Sequence, residues 1–268
     1  MPNTAAHLPG DHLDIAKMPG HWFLARMGKR VLRPGGRALT DFLLAELSIG
    51  RGDAVVEMAP GLGVTTRLAL AAGPSSYTVV ERDSAAAATL ESLLSGVSGH
   101  CLTGDAADTQ LPPGEASVVF GEAFLTMQPA AQKKKILEEA FRLLRPGGRY
   151  GFHELGLCPD SLSEEEQTAI QKDLAGSIRV GARPLTCESW RDLITSVGFE
   201  IQSVKELPME LLGPRRLVRD EGLLGAARIA FNALKSPKAR ARMRSLRATF
   251  RRNASNLRAI AIVARKPA

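Results

Sequence analysis

From residue 54 onward, short apolar runs alternate with stretches in which apolar residues recur at helical spacing. The runs at 54–58, 76–81, 100–104, 116–120, 148–154 and 200–206 predict strands. The stretches at 64–72, 84–95, 130–144, 163–178 and 187–197 predict helices. Such alternation is the pattern of βαβ units, in which helices cover both faces of a parallel sheet. The turn Arg145-Pro146-Gly147-Gly148 separates helix from strand. Upstream, Trp22, Phe23, Met27 and Val31 predict a helix over 21–32 that Pro34-Gly35-Gly36 stops, and a second helix continues over 37–47. Residues 1–20 show little periodicity and read as a flexible arm. The expected organisation is therefore the arm (1–20), N-terminal helices serving as a lid (21–50), a core (51–211), a helical insertion (212–258) and a last strand that rejoins the core (259–268).

Composition sharpens this picture in two places. A chain of 268 residues, 44% hydrophobic and 24% charged, has the make-up of one large globular domain with an appendage. Its net charge of +7 is unevenly spread: residues 214–268 carry 15 Lys and Arg against 2 Asp and Glu, an excess of +13 that leaves −6 for the rest. The basic character belongs to the insertion and the last strand, which suits a solvated helical cover, an anionic membrane surface or RNA. Only Phe250 interrupts the basic run as an aromatic, so base stacking has little support and nucleic acid is disfavoured. No window approaches the roughly 18 apolar residues of a membrane span, and Asp11 and Asp14 fall where a signal peptide needs its apolar stretch, so a cytoplasmic location is expected. Cys101, Cys158 and Cys187 are far apart and form no CxxC pair, which predicts free thiols and no metal site.

The chemistry concentrates in Val55-Val56-Glu57-Met58-Ala59-Pro60-Gly61-Leu62-Gly63, a strand entering a glycine turn that opens a helix. Glycines there let the backbone approach a ligand closely. Glu81 ends the next strand, where a carboxylate can accept hydrogen bonds from both hydroxyls of a ribose. Asp105, within Gly104-Asp105-Ala106, places a further carboxylate at the edge of the sheet where open α/β folds bind ligands. Thr66 occupies the position where a dinucleotide fingerprint wants Gly or Ala, and Glu57 before the glycines would repel a pyrophosphate but attract a cation. A positively charged adenosine ligand fits better than NAD.

With these landmarks, and with Leu143-Leu144-Arg145-Pro146-Gly147-Gly148 before the fifth strand, the chain resembles the class I S-adenosylmethionine (SAM)-dependent methyltransferases. Within them it is similar to the small-molecule group that includes the quinone-biosynthesis type (methyltransferase type 11). The turn carries Ala59-Pro60 in place of the more usual Gly-Cys or Gly-Ser, with Ala59 small enough to keep the backbone approach. The resemblance implies a Rossmann-like seven-stranded sheet, mostly parallel with an antiparallel last strand, and SAM as cofactor with S-adenosylhomocysteine as product. It implies Glu57 near the methionine amino group, Ala59, Gly61 and Gly63 beneath the cofactor, Glu81 on the ribose, Asp105 and Ala106 at the adenine, and Glu122 beside the methionine moiety. It also implies Trp22 and Phe23 as a lid or wall of the acceptor pocket, against the plain alternative of core packing.

Methyl transfer from a sulfonium is an in-line displacement that mainly requires alignment and exclusion of water. A base is needed only if the accepting atom carries a proton. His153 and Glu154, adjacent on the fifth strand and pointing to opposite faces, are the candidates, with hydrogen-bonded structural roles as the alternative. Arg179 and Arg183 offer guanidinium forks to an anionic acceptor, with surface ion pairing as the alternative. Gly121-Glu122-Ala123-Phe124 stands where nucleic-acid amino-methyltransferases carry an Asp/Asn-Pro-Pro-aromatic signature. The expected function is methyl transfer to a small-molecule acceptor of amphipathic or anionic character. The alternative is a non-catalytic SAM-binding regulator, or an RNA- or membrane-associated protein using its basic segment.

Overall fold

The computed structural model describes residues 13–95 and 98–268, so most of the arm expected over 1–20 lies outside the described residues. Two helices, α1 (Gly20–Arg26) and α2 (Gly36–Leu47), precede the sheet. Then come β1 (Ala54–Met58), α3 (Val64–Leu70), β2 (Ser76–Glu81), α4 (Ser84–Leu94), β3 (Gly99–Thr103), β4 (Ala116–Glu122), α5 (Ala130–Leu143) and β5 (Leu144–Leu157). The chain continues through α6 (Glu164–Ile178), β6 (Leu185–Thr186), α7 (Cys187–Ser196), β7 (Glu200–Pro208), α8 (Pro214–Lys235), α9 (Pro237–Arg252) and β8 (Leu257–Arg265). The sheet runs β3-β2-β1-β4-β5-β8-β7. Strands β1 to β5 pair in parallel, while β8 is antiparallel to both β5 and β7. The seven-stranded α/β fold expected from the sequence is thus present, with the two-residue β6 added at the end of β5.

Alternation along the strands divides two cores. Val56, Val119, Tyr150, Phe152 and Ile262 face α5 and α7, whereas Val55, Tyr77, Val79, Val118 and Phe120 face α2, α3 and α4. Side chains of one strand point alternately to opposite faces, so the inner strands β1, β2, β4 and β8 are buried on both sides and show little polar alternation, while the edge strands β3 and β7 are partly exposed. On the first face Trp190 is completely buried, lies 5.2 Å from Phe152 between ring centroids, and donates from its indole nitrogen to the Leu155 carbonyl at 3.0 Å.

A third and a fourth core form a cap over the carboxyl ends of the strands. Phe23, Leu24, Leu217, Ile229, Met243 and Leu246 join α1 to α8 and α9. Leu155, Ile170, Leu174 and Met209 bring α6 to the same region. The capping box of Ser163 and Glu166 starts α6: the Ser163 hydroxyl accepts from the Glu166 N–H, and the Glu166 carboxylate accepts from the Ser163 N–H.

The structure differs from the sequence expectation in three elements. Helix α1 stops at Arg26 because the chain turns at Gly28, whose φ is +101°, so 27–35 runs as an irregular segment whose Arg33 and Pro34 meet Glu122 on β4 and His153 on β5. Helix α2 leaves the lid and packs on the sheet, with Leu43 and Leu47 in the second core and Leu39 against Ala259 and Ala261. Helix α8 breaks at Gly222 (φ 73°, ψ 170°) into two segments. The first is tied to the irregular segment by buried charge. Glu221 Oε1 accepts from the backbone N–H groups of Arg30 and Val31, both at 2.9 Å, while Lys29 Nζ lies 3.5 Å from Glu221 and 3.7 Å from Asp220. Gly36, at φ +57°, is required by this approach, since a Cβ there would sit 2.4 Å from the Asp220 carboxylate.

Candidate active site

The sheet order reverses between β1 and β4, and a cavity of about 730 Å³ opens at that point beneath the cap. Crevices at such a switch point are where open α/β sheets bind ligands. Its floor is the glycine turn. Ala59 (φ 53°), Gly61 (φ 58°) and Gly63 (φ 69°) all adopt left-handed backbone, and the two glycines serve different ends. A Cβ on Gly63 would lie 2.8 Å from Leu93, so this glycine lets α4 pack close. A Cβ on Gly61 would meet nothing within 4 Å, so this glycine faces open space in the cavity. The Gly61 N–H donates to Glu81 Oε2 at 3.1 Å and the Asp83 N–H to Glu81 Oε1 at 2.9 Å, which fixes the carboxylate at the lip of the crevice. Asp105 is exposed at the rim, where its Oδ1 accepts from the Ala107 N–H at 2.9 Å, and Ala106 lines the wall beside it.

Glu57, at the end of β1, is buried at the inner end of the crevice. Its Oε2 accepts from the hydroxyls of Thr66 at 2.6 Å and Tyr77 at 2.7 Å. Burial pushes its carboxyl up to about 7, against the pull of those two hydrogen bonds. Such a group is half-charged near neutrality and takes its full charge once a cation is brought to it.

Glu122, at the end of β4, is held much more tightly. Oε1 accepts from the Thr40 hydroxyl at 2.7 Å and faces His153 Nδ1 at 3.1 Å; Oε2 accepts from the Thr65 hydroxyl at 2.5 Å and lies 3.3 Å from Arg33 Nε. Burial alone would raise this carboxyl, but the Arg33 charge and the hydrogen bonds outweigh it and hold it down at about 2. The Arg33 guanidinium is itself buried, donates from Nε to the Thr40 hydroxyl at 2.6 Å, and has no protein partner for Nη2 among the described residues. Arg33 lines the cavity and brings its positive charge to that wall, with Nη2 itself enclosed by protein.

Beyond the crevice the cavity widens into a chamber between the sheet and the cap. Leu24, Leu155, Leu174, Met209, Leu246 and Phe250 make its wall largely apolar. Of the residues expected around an acceptor, Trp22 lines this cavity, whereas its neighbour Phe23 is turned into the cap core with the Arg242 guanidinium 4.9 Å from its ring. Arg179 and Arg183 do not line it: Arg179 ends α6 in a left-handed conformation, and the Arg183 side chain is exposed.

The two candidate bases are committed elsewhere. His153 is completely buried off the cavity wall, with Nδ1 toward Glu122 and Nε2 against the Pro34 carbonyl. Glu154 reaches the cavity but accepts four hydrogen bonds, from the N–H groups of Phe124, Leu125 and Thr126 and from the Thr126 hydroxyl, pinning the turn after β4. Burial raises its carboxyl despite those bonds. The expected opposite-face geometry is present, and on each face the side chain bonds to the fold.

Sequence reasoning missed His21 and Arg33. His21 lines the cavity, packs against Trp22 at 4.6 Å between ring centroids, and makes no hydrogen bond among the described residues. Burial pushes its imidazole down to about 4, so it is neutral at neutral pH. The signal for Arg33 lay in Arg33-Pro34-Gly35-Gly36, which reads as a helix stop and also as a cationic turn ahead of the glycine loop. Among the described residues no group of three or more His, Cys, Asp or Glu is arranged to hold a metal ion.

A family model described as a methyltransferase domain matches residues 55–148. An uncharacterized protein of Haemophilus influenzae is 32% identical over 252 residues, which make up 92% of this chain and 98% of that one. Phosphoethanolamine N-methyltransferase 2 of Haemonchus contortus, solved with S-adenosyl-L-methionine, superposes with a TM-score of 0.71 at 17% identity, over 93% of this chain and 57% of that one. This chain therefore spans little more than half the length of that enzyme. Geranyl diphosphate methyltransferase, solved with GPP and sinefungin, superposes with a TM-score of 0.63 at 16% identity, over 85% and 77% of the two chains. At these identities the two structures share the fold.

Removing one partner of a buried ion pair leaves the other uncompensated and typically costs about 3–5 kcal/mol. Glu122→Ala is expected to lose that much stability in urea unfolding, with Arg33 left charged in the wall. An unchanged midpoint would show that the carboxylate does not anchor the site.

Proposed function

The chain belongs to the class I S-adenosylmethionine-dependent methyltransferases, and on that premise we propose that it transfers the methyl group of SAM to a small-molecule acceptor with a largely apolar body. One observation carries this reading: a continuous cavity joins a polar crevice at the sheet switch point to an apolar chamber under the cap. The crevice residues suit SAM in charge and shape. Open space above Gly61 admits the nucleoside, and Glu81 presents a carboxylate at the ribose position. Asp105 and Ala106 stand at the adenine edge. At the amino-acid end, Glu57 offers a buried carboxyl to the ammonium, and Arg33 sets a positive charge in the cavity wall for the carboxylate. Glu122 acts here as a positioning residue: it orients Arg33, Thr40 and Thr65 around the crevice.

When bound, SAM supplies an electrophilic methyl on a sulfonium. The chain's own contribution is to hold the acceptor atom in line and to exclude water, for which the apolar chamber and the cap are suited. An acceptor without a proton on its reacting atom needs nothing more. For a phenol or hydroxyl, His21 is the candidate to take the proton, since it lines the cavity and makes no hydrogen bond among the described residues; burial leaves it a weak base at about 4, so the transfer requires the charge developing on the acceptor to raise it.

The direct test incubates the protein with methyl-labelled SAM and a metabolite and lipid extract. A labelled organic-soluble product is expected, and its absence with folded protein that binds S-adenosylhomocysteine would overturn the catalytic reading. If the product is an O-methyl compound, His21→Phe should lower kcat by about 10²-fold or more, the usual scale of a lost general base, with cofactor affinity kept. An undiminished kcat would remove His21 from the chemistry.

Glu57 sets a pH dependence. Its folded carboxyl titrates at about 7 against an ordinary 4.5, so its contribution to stability is full below about 4.5 and is lost as pH rises through 7. Binding a ligand with an ammonium group runs the other way, since at pH 6 the ligand must first expel the proton. The affinity for S-adenosylhomocysteine, measured by calorimetry, should weaken several-fold from pH 8 to pH 6, and Glu57→Gln should flatten that profile. A flat wild-type profile would contradict the placement of the ammonium at Glu57.

A further inference from the structure

The large apolar side chains that stand exposed among the described residues gather on one helix. Leu223 is 75% exposed, Leu224 87%, Phe231 58% and Leu234 61%, all on α8 beyond its break at Gly222. At about 100° per residue these four, with Ala227 and Ala230, occupy one arc of about 120°. The opposite side of the same segment is the one that packs: Ile229 is buried in the cap core, and Ala226 and Ala233 lean on it. Helix α8 is therefore apolar on two sides, and only one has a partner among the described residues. Scattered exposed leucines need no explanation, but a continuous stripe of them does.

The surroundings of the stripe are cationic. Arg228 and Lys235 border it, with Lys235 Nζ 4.3 Å from the Phe231 ring centroid. Lys238, Arg240, Arg244, Arg247 and Arg251 stand exposed on α9, and no acidic residue comes after Glu221 in the sequence. The last two acids, Asp220 and Glu221, are buried against Lys29 and neutralise nothing on the surface. An apolar stripe edged by lysine and arginine is the pattern of a helix lying in a membrane interface, its apolar side below the headgroups and its cations among them. A second copy of the chain fits worse. A two-fold interface through the stripe would set the same basic residues face to face, and among the described residues the exposed acids beside them, Asp14 near Lys238 and Asp173 near Arg252, are too few to balance that charge.

We propose that the second segment of α8 docks the protein on an anionic lipid bilayer, with Leu223, Leu224, Phe231 and Leu234 inserted among the headgroups and the α9 arginines on the lipid phosphates. No described helix is long and apolar enough to cross a membrane, so the contact is interfacial. The position relates the surface to the cavity: α9 places Leu246 and Phe250 in the cavity wall while its other side carries the basic residues. The first segment of α8 is locked to 29–37, which contributes Arg30, Arg33 and Pro34 to the same wall. The docking helices and the apolar chamber are one packed unit, which places the chamber next to a source of amphipathic acceptors.

The test is co-sedimentation of the full chain with vesicles of phosphatidylcholine alone or with about one-third phosphatidylglycerol, a fraction that gives a strongly negative surface. Wild type should pellet with the anionic vesicles, stay in solution with the neutral ones, and partition less as salt is raised. The double variant Leu224→Ser, Phe231→Ser should partition at least tenfold less while keeping the wild-type melting temperature, because neither side chain packs in a core. Three results would overturn the proposal: no binding to anionic vesicles, binding undiminished in the double variant, or a dimer in sedimentation velocity that the double variant dissociates. None of these needs SAM, so failure here leaves the methyltransferase reading standing.

Discussion

A carboxylate removed from water must be surrounded by donors, and Glu122 meets that demand with groups from four separate parts of the chain. Thr40 comes from α2, Thr65 from α3, His153 from β5 and Arg33 from the irregular segment after α1, all meeting at the end of β4. The segment after α1 and the start of α3 also line the cavity, β5 belongs to the sheet beneath it, and α2 packs on that sheet. Because a buried ion pair tolerates little displacement of either partner, the cluster fixes the N-terminal wall relative to the glycine turn. Arg33 thus stays in the cavity wall as a fixed positive charge, and the turn holds Gly61 open to the ligand. The contrast with Glu57 has the same physical origin: both carboxyls are buried, but Glu57 has two hydroxyl donors where Glu122 also has a guanidinium, so one rises to about 7 and the other falls to about 2.

The sheet and the floor of the site were legible in the sequence for local reasons. Apolar runs of strand length, a glycine turn between strand and helix, and acids at strand ends are short-range features, and Glu81 sits where its strand end predicts. The side walls were not legible, because they depend on pairings distant in sequence. His153 and Glu154 alternate across β5 as expected, yet the partners that occupy them come from Pro34 and from Phe124 to Thr126. Trp22 and Phe23 are adjacent on one helix, about 100° apart, so only one of them could face the cavity. Arg179 and Arg183 suggested an anion site by residue type, and their backbone positions direct them away from it. Arg33 went unnoticed because Pro34-Gly35-Gly36 beside it reads as a break in structure, which it is, and as nothing more.

The insertion between β7 and β8 explains how the chain builds a covered chamber on a common sheet. Buried salt links at Lys29, Asp220 and Glu221 bind the first half of α8 to the N-terminal segment, so two regions far apart in sequence form one cap. Past Gly222 the helix turns one face to that cap, and the other has no partner among the described residues. The charge asymmetry of the chain, +13 in its last 55 residues, then has a physical setting: cations border the apolar stripe on one side and cover the outer face of α9, behind the wall of the chamber.

If the crevice at the β1/β4 switch point takes an adenosyl-sulfur ligand, with Glu57 at its inner end, occupancy must stabilise the fold. The most direct test compares melting temperatures with S-adenosylhomocysteine and with NAD, each at a large excess, since a ligand at about 100 times its dissociation constant adds about 2.7 kcal/mol of stability. A clear rise with S-adenosylhomocysteine and none with NAD is expected. A rise with NAD alone, or with neither ligand, would contradict this assignment of the crevice.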